Sequence, residues 1–122
     1  MIDLIGRNEF LARLYPSGLG AIRLGRLELG PSDRCSLDLH VYVRPSIETD
    51  KWGVWGIDYD VVVVHLMSTH LESANVKRWA EMELGSLQIS PVGRFFRVSF
   101  GASVELISGP PVFQRASTYL GC

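Results

Sequence analysis

The sequence is poor in cysteine, in long hydrophobic runs and in any surplus of one charge, and each shortage excludes a class of protein. Its 122 residues include two cysteines, Cys35 and Cys122, which are too few for a disulfide framework, so we expect two free thiols. The longest apolar run covers residues 61–67 and is interrupted by His65. Because a helix needs about 20 apolar residues to cross a bilayer, the sequence predicts no membrane span.

Positive and negative charges are balanced. Twelve Lys and Arg face 13 Asp and Glu, which gives a formal net charge of −1. Proteins that neutralise phosphates usually carry a broad basic surface, so a nucleic acid is not expected as a partner. The first residues include Asp3 and Arg7 and lack the apolar stretch of a secretory signal, which predicts a cytoplasmic protein. The length and the 47% hydrophobic content favour one globular domain over residues 1–122.

Alternation of apolar and polar residues predicts several strands. Residues 37–43 alternate without a break. Residues 21–29 change phase at Gly25, where a β-bulge is predicted. Residues 57–67 carry four consecutive valines of both parities, which predicts a strand covered on both faces in the middle of the sheet. Residues 96–106 alternate throughout and form either one long strand or two strands bent at Gly101.

The remaining segments give weaker patterns. Apolar residues at helical spacing over residues 8–15 predict a short N-terminal helix, with Asn8 as its N-cap and Pro16 ending it. Residues 69–75 are expected to form a loop and residues 76–84 a strand.

The tail over residues 112–120 is left open between a last strand and a short helix. Counting the strong patterns gives six to eight strands without alternating helices. The sequence therefore predicts a mainly β domain, an antiparallel sandwich or a curled half-barrel with a short N-terminal α-helix.

Residues that carry chemistry in other proteins are scattered along the chain. His65 and His70 differ in strand parity, so one regular strand would not direct both toward the same ion, and no metal site or cofactor is predicted. Asp58 and Asp60 share parity and suit a hard cation or a carboxylate pair, but paired acids where a strand begins more often protect an edge. Ser103 lies inside an alternating pattern and lacks the second glycine of a nucleophile elbow. No catalytic residue is predicted.

The segment over residues 48–60 has the composition of an interface. Tryptophan and tyrosine bury large areas with few torsions, and here two tryptophans lie among four acids and one lysine. An acidic, aromatic surface suits a basic partner and speeds the encounter with it. The alternative, that the tryptophans close one end of the core, stays open. The predicted partner-binding residues are Glu48, Asp50, Trp52, Trp55, Asp58 and Asp60.

Five features taken together are similar to one known family. They are the short helix ending in Tyr15-Pro16, the strand over residues 22–29, the alternating residues 37–43, the strand over residues 61–67, and the closing run over residues 93–106. With these features the chain resembles the immunity proteins of bacterial polymorphic toxin systems, in particular immunity protein family 50. The resemblance implies a cytoplasmic, non-catalytic protein that neutralises a cognate toxin, or another effector protein, by binding it.

Two other functions stay open. One is a small-molecule-binding or enzymatic β-barrel with a pocket near Asp58, Asp60 and His65, which requires those side chains to converge on one cavity. The other is a homo-oligomeric structural subunit, for instance a homodimer, in which the aromatic segment binds a second copy. Its size in solution would depend on concentration.

Overall fold

The computed structural model describes residues 2–121, which form a short α-helix and eight β-strands, with a 3₁₀ turn at Ile2–Leu4 and another at Trp79–Glu81. The elements are α1 (Glu9–Leu14), β1 (Ile22–Leu29), β2 (Cys35–Val41), β3 (Val61–Ser68), β4 (Ser73–Val76), β5 (Leu87–Val92), β6 (Phe95–Phe100), β7 (Val104–Ser108) and β8 (Val112–Tyr119).

The strands form two four-stranded sheets, in the orders β1-β2-β3-β8 and β4-β7-β6-β5, and all paired strands are antiparallel. Neither sheet closes on itself. Buried side chains from both sheets and from α1 belong to one hydrophobic cluster. The predicted class, mainly β and antiparallel with one short N-terminal helix, is confirmed.

The centre of the first sheet follows the sequence pattern closely. In β2 every second residue from Cys35 to Val41 is buried. In β3 the four valines from Val61 to Val64 are all buried, and the strand lies between β2 and β8, so the prediction of a central strand is confirmed. β2 ends two residues earlier than predicted, and Val43 is exposed beyond it.

The predicted bulge in β1 is present. Leu24 is paired with Leu39 and Arg26 with Asp38, so Gly25 is the extra residue between them. A side chain at this position would overlap the imidazole of His40, which covers the glycine. The bulge therefore keeps both Leu24 and Leu27 against the core while it makes room for His40 on the outer face.

The N-terminal helix closes one side of the core. Leu11 and Leu14 are fully buried, and Tyr15 follows them at the C-cap position. Asn8 occupies the predicted N-cap position, but its side-chain amide donates to the carbonyl of Ile2 at 2.9 Å and makes no capping bond.

Two backbone bonds attach the residues before this helix to the start of β8. Gly6 donates to the carbonyl of Pro111 at 2.8 Å and accepts from Phe113 at 2.9 Å. On the other side of the helix, Ser46 donates to the carbonyl of Leu14 at 2.7 Å. The N-terminal segment is thus held between β8 and the connection from β2 to β3.

Two predictions in the middle of the chain are wrong. Residues 76–84 form no strand beyond Val76, and β4 begins at Ser73, inside the predicted loop. All four residues of β4 are exposed, and β4 lies at an edge of its sheet. Ala74 and Val76 alternate with Ser73 and Asn75, but neither apolar residue is buried.

The run over residues 96–106 is two strands, the second of the predicted alternatives. β6 and β7 form a hairpin, and Gly101 has a φ of 55° at the turn. Ser103 lies in this turn and not inside a strand, which corrects the sequence interpretation. The preceding strand, β5, continues through Pro91, which an edge strand tolerates.

The tail is a strand, β8, paired with β3. Of the two cysteines, Cys35 is a free thiol and 2% exposed, and burial raises its pKa. Cys122 lies outside the described residues. No helix within residues 2–121 combines the length and the apolar character that crossing a bilayer requires.

Candidate functional site

The connection from β2 to β3 contains a folded segment over residues 52–60, here called the Trp loop. Glycines at positive φ, Gly53 at 84° and Gly56 at 85°, allow its tight turns. The amide of Asp58 donates to the carbonyl of Val54 at 2.8 Å, and the amide of Gly56 donates to the carbonyl of Tyr59 at 2.7 Å. These bonds give the loop a defined backbone without a regular strand.

An aromatic cluster packs between the Trp loop and the hydrophobic core. Tyr59 is 1% exposed, and the rings of Trp52 and Trp55 meet it edge-on with centroids 5.9 and 5.3 Å away. Phe10 of α1 packs against Trp52 with centroids 6.0 Å apart. Such edge-to-face contacts add about 0.5–1.5 kcal/mol each beyond the area that they bury.

The two tryptophans are half-buried and pack against the hydrophobic core. They therefore combine features of both interpretations left open by the sequence, since each contributes to the core and each retains accessible surface. Among residues 2–121 the most exposed large apolar side chain is instead Ile57, at 71%, and Val54 in the same loop is 47% exposed.

Sequence reasoning missed Ile57 and Val54. The sequence did contain an indication of this exposure. Ile57 lies between Gly56 and Asp58, two residues typical of turns, and is not part of an alternating pattern that would place it in the core. The prediction that a strand begins near residue 57 hid that signal; the strand begins at Val61.

The four predicted acids have different roles in the structure. Asp58 accepts from the amide of Val54 at 2.7 Å and so closes the turn. Asp60 accepts from the amide of Gly121 at 2.6 Å. The other two, Glu48 and Asp50, are exposed on the preceding stretch, where Glu48 forms an ion pair of 3.2 Å with Arg44.

His65 does not meet Asp58 or Asp60, with which a shared pocket was predicted. It contacts Asp38 and Ser117 instead. His65 projects from the outer face of β3, where its Nδ1 lies 2.7 Å from Asp38 Oδ1 on β2 and its Nε2 lies 3.0 Å from Ser117 Oγ on β8. The side chains of Asp38 and His65 are only 17% and 16% exposed.

This contact chain determines the tautomer of the neutral imidazole. A carboxylate only accepts, so Nδ1–H donates to Asp38 and Nε2 accepts from the hydroxyl of Ser117. The order of donors and acceptors is that of a Ser-His-Asp hydrolase. Ser117, however, belongs to a regular strand, and it does not line the depression beside His65, whose charged residues are Arg26, Glu28, Asp38 and Arg115.

A second histidine on the same face forms a separate contact. His40 Nδ1 lies 2.7 Å from the hydroxyl of Tyr119. Burial lowers the pKa of His40 and raises that of Tyr119, so both groups favour their neutral forms. Within residues 2–121, no three His, Cys, Asp or Glu side chains are grouped so that they would hold a metal ion.

Comparisons of the chain with protein-family models, with curated proteins and with solved structures found no match.

Proposed function

We propose that the protein is a non-catalytic protein-binding domain that uses the Trp loop to bind a partner protein. The observation that carries the proposal is the exposure of Ile57 on a loop with a fixed backbone. An exposed apolar side chain on such a support loses little conformational entropy on binding, which makes it an efficient interface anchor.

The charges around the loop favour a basic partner. Glu48, Asp50 and Asp58 are exposed on or beside the Trp loop, and Lys51 is the base among residues 48–60. An apolar anchor inside an acidic rim fits a partner that has an apolar pocket surrounded by lysines and arginines. Many nucleases have such a basic surface, because they bind phosphates.

The specific form that we propose is an immunity protein of the bacterial cytoplasm, which binds a cognate toxin and blocks it. This form is supported by the sequence resemblance to immunity protein family 50 and by the suitability of an acidic surface for masking a basic active site. The alternative of a homo-oligomeric subunit is distinguished by sedimentation over a range of concentrations.

The test uses the product of the gene adjacent to this one, because toxin and immunity genes normally lie side by side. Co-expression of the protein is expected to restore growth of cells that produce the neighbour, and the purified pair is expected to form a complex weakened by salt. Ile57→Asp is expected to weaken the complex about 30-fold or more, as for an anchor worth about 2 kcal/mol.

A matched control separates loss of contact from loss of fold. Leu29 is 54% exposed at the end of β1, so Leu29→Asp makes the same chemical change away from the Trp loop and should alter binding less than about twofold. Equal losses from both variants, or full binding by Ile57→Asp, would refute the Trp loop as the interface. A neighbour that is neither toxic nor bound would refute the immunity role.

A second candidate function is hydrolysis, favoured by the contact chain Asp38–His65–Ser117. In this candidate Ser117 Oγ attacks an ester carbonyl while His65 takes the hydroxyl proton and passes it to the leaving alcohol, which leaves an acyl-serine. Water, deprotonated by His65, then attacks the acyl carbonyl, the carboxylic acid leaves, and the proton returns to Ser117 Oγ. Turnover of 4-nitrophenyl acetate that is lost in Ser117→Ala and kept in Ser90→Ala would support it. A rate equal to that of buffer, or one unchanged by Ser117→Ala, would remove it.

A further inference from the structure

A second surface feature is lined by Trp52 and does not include Ile57. It is a cleft of about 280 Å³ between α1, the connection before the Trp loop and the edge strand β8. Its lining residues are Phe10, Thr49, Lys51, Trp52, Phe113, Arg115 and Ala116. We call it the aromatic cleft.

Three aromatic rings form the apolar part of the aromatic cleft. Phe10 lies between the other two, with its centroid 6.0 Å from that of Trp52 and 6.3 Å from that of Phe113. All three rings pack partly against the core, which fixes their positions. Rings held in this way can contact a further flat group without ordering any mobile side chain.

The charged residues of the aromatic cleft are both cations. Lys51 and Arg115 are exposed, and neither forms a salt bridge with another residue of the described part of the chain. Other depressions of the surface differ in this respect. The depression beside His65 includes Glu28 and Asp38, and another at the end of β3 includes Asp33 and Glu72.

We propose that the aromatic cleft binds a small flat aromatic carboxylate, with the ring against Phe10, Trp52 and Phe113 and the carboxylate between Lys51 and Arg115. An apolar floor with a few polar groups at the rim is the usual composition of a small-molecule site. The volume lies just below the range of about 300–1,000 Å³ for drug-sized ligands, which limits the ligand to one or two rings. The proposal does not rest on the proposed protein partner, although Trp52 belongs to both surfaces.

The test is a titration of the isolated protein with 2-naphthoate, followed by the NMR signals of the tryptophan indole N–H groups. The signal of Trp52 should shift with saturation. The signal of Trp79, which lies in a 3₁₀ turn and does not line the cleft, should stay in place as an internal reference. The neutral 2-naphthylmethanol and the cationic 2-naphthylmethylamine have the same rings and test the role of the charge.

Paired variants identify the cations. Lys51→Gln with Arg115→Gln should weaken 2-naphthoate binding roughly tenfold and leave the weaker binding of 2-naphthylmethanol unchanged. The matched control replaces Lys77 and Arg34 by Gln, which removes two exposed cations outside the cleft and should leave the affinity for 2-naphthoate unchanged.

Three results would overturn the proposal. The first is the absence of a Trp52 shift at millimolar 2-naphthoate. The second is equal affinity for the three naphthalene probes, which would reduce the cleft to an apolar surface without anion selectivity. The third is an equal loss in the control pair, which would attribute the charge effect to the whole molecule and not to Lys51 and Arg115.

Discussion

Two buried tyrosines allow a prediction in which the same substitution has opposite effects. Tyr15 and Tyr59 are 2% and 1% exposed, so both rings belong to the core. The hydroxyl of Tyr15 donates to the carbonyl of Val43 at 3.0 Å. The hydroxyl of Tyr59 is buried without a hydrogen-bond partner among the described residues. We predict that Tyr15→Phe destabilises the protein and that Tyr59→Phe stabilises it.

The magnitudes follow from the cost of buried polar groups. Tyr15→Phe removes the hydrogen bond and leaves the carbonyl of Val43 without that donor. The free energy of unfolding should fall by about 1–2 kcal/mol. The hydroxyl of Tyr59 loses its hydrogen bonds to water on folding and forms none in the protein. Tyr59→Phe should therefore raise the free energy of unfolding by about 1 kcal/mol. For a chain of 122 residues, 1 kcal/mol corresponds to a shift of about 4 °C in Tm.

Urea unfolding followed by tryptophan fluorescence, together with calorimetric Tm, measures both changes. Tyr59→Ala is the reference variant, because removal of the whole ring from between Trp52 and Trp55 should cost about 3–5 kcal/mol. If Tyr59→Phe destabilises the protein as much as Tyr15→Phe does, the hydroxyl of Tyr59 has a partner in solution and the reasoning is refuted.

Three further predictions concern the glycines of the Trp loop, His40 and Cys35. Gly53→Ala should destabilise more than Gly56→Ala, because both have positive φ but only a Cβ at Gly53 would overlap the carboxylate of Asp58; equal urea midpoints would contradict this. Burial lowers the pKa of His40, so the unfolded chain binds the proton more readily, and stability should fall as pH drops through about 6.5. His40→Gln should make stability depend less on pH. Identical slopes of urea midpoint against pH in the variant and the original protein would refute this prediction. Burial raises the pKa of Cys35, so iodoacetamide should label its thiol only in denaturant, and rapid labelling of the native protein at this residue, located by peptide mapping, would contradict its burial.

The elements that the sequence predicted well are those with strong local patterns. β2 alternates, β3 has apolar residues on both faces, and the phase change at Gly25 requires an extra residue; each of these is readable from neighbouring side chains alone. β4 was missed although Ala74 and Val76 alternate with polar residues, because the pattern covers only four residues. β4 is exposed at every position and forms only because β7 supplies its hydrogen bonds.

The candidate sites divide in the same way. The composition of residues 48–60 is visible in the sequence and predicts an interface there. The solvent exposure of each side chain cannot be read from the sequence. Whether Trp52 or Ile57 faces the solvent depends on the positions of Phe10 and the edge of the sheet. Likewise His65, Asp38 and Ser117 are far apart in the chain and meet only through the pairing of β2, β3 and β8.

Local periodicity and turn residues thus determined by themselves that this chain forms antiparallel strands with one short helix, because these signals act between residues a few positions apart. Only the tertiary structure decided which strands pair, which ring of the Trp loop is covered, and that Lys51 and Arg115 border the same aromatic cleft. Those facts depend on contacts between distant segments, and such contacts leave no trace in the order of neighbouring residues.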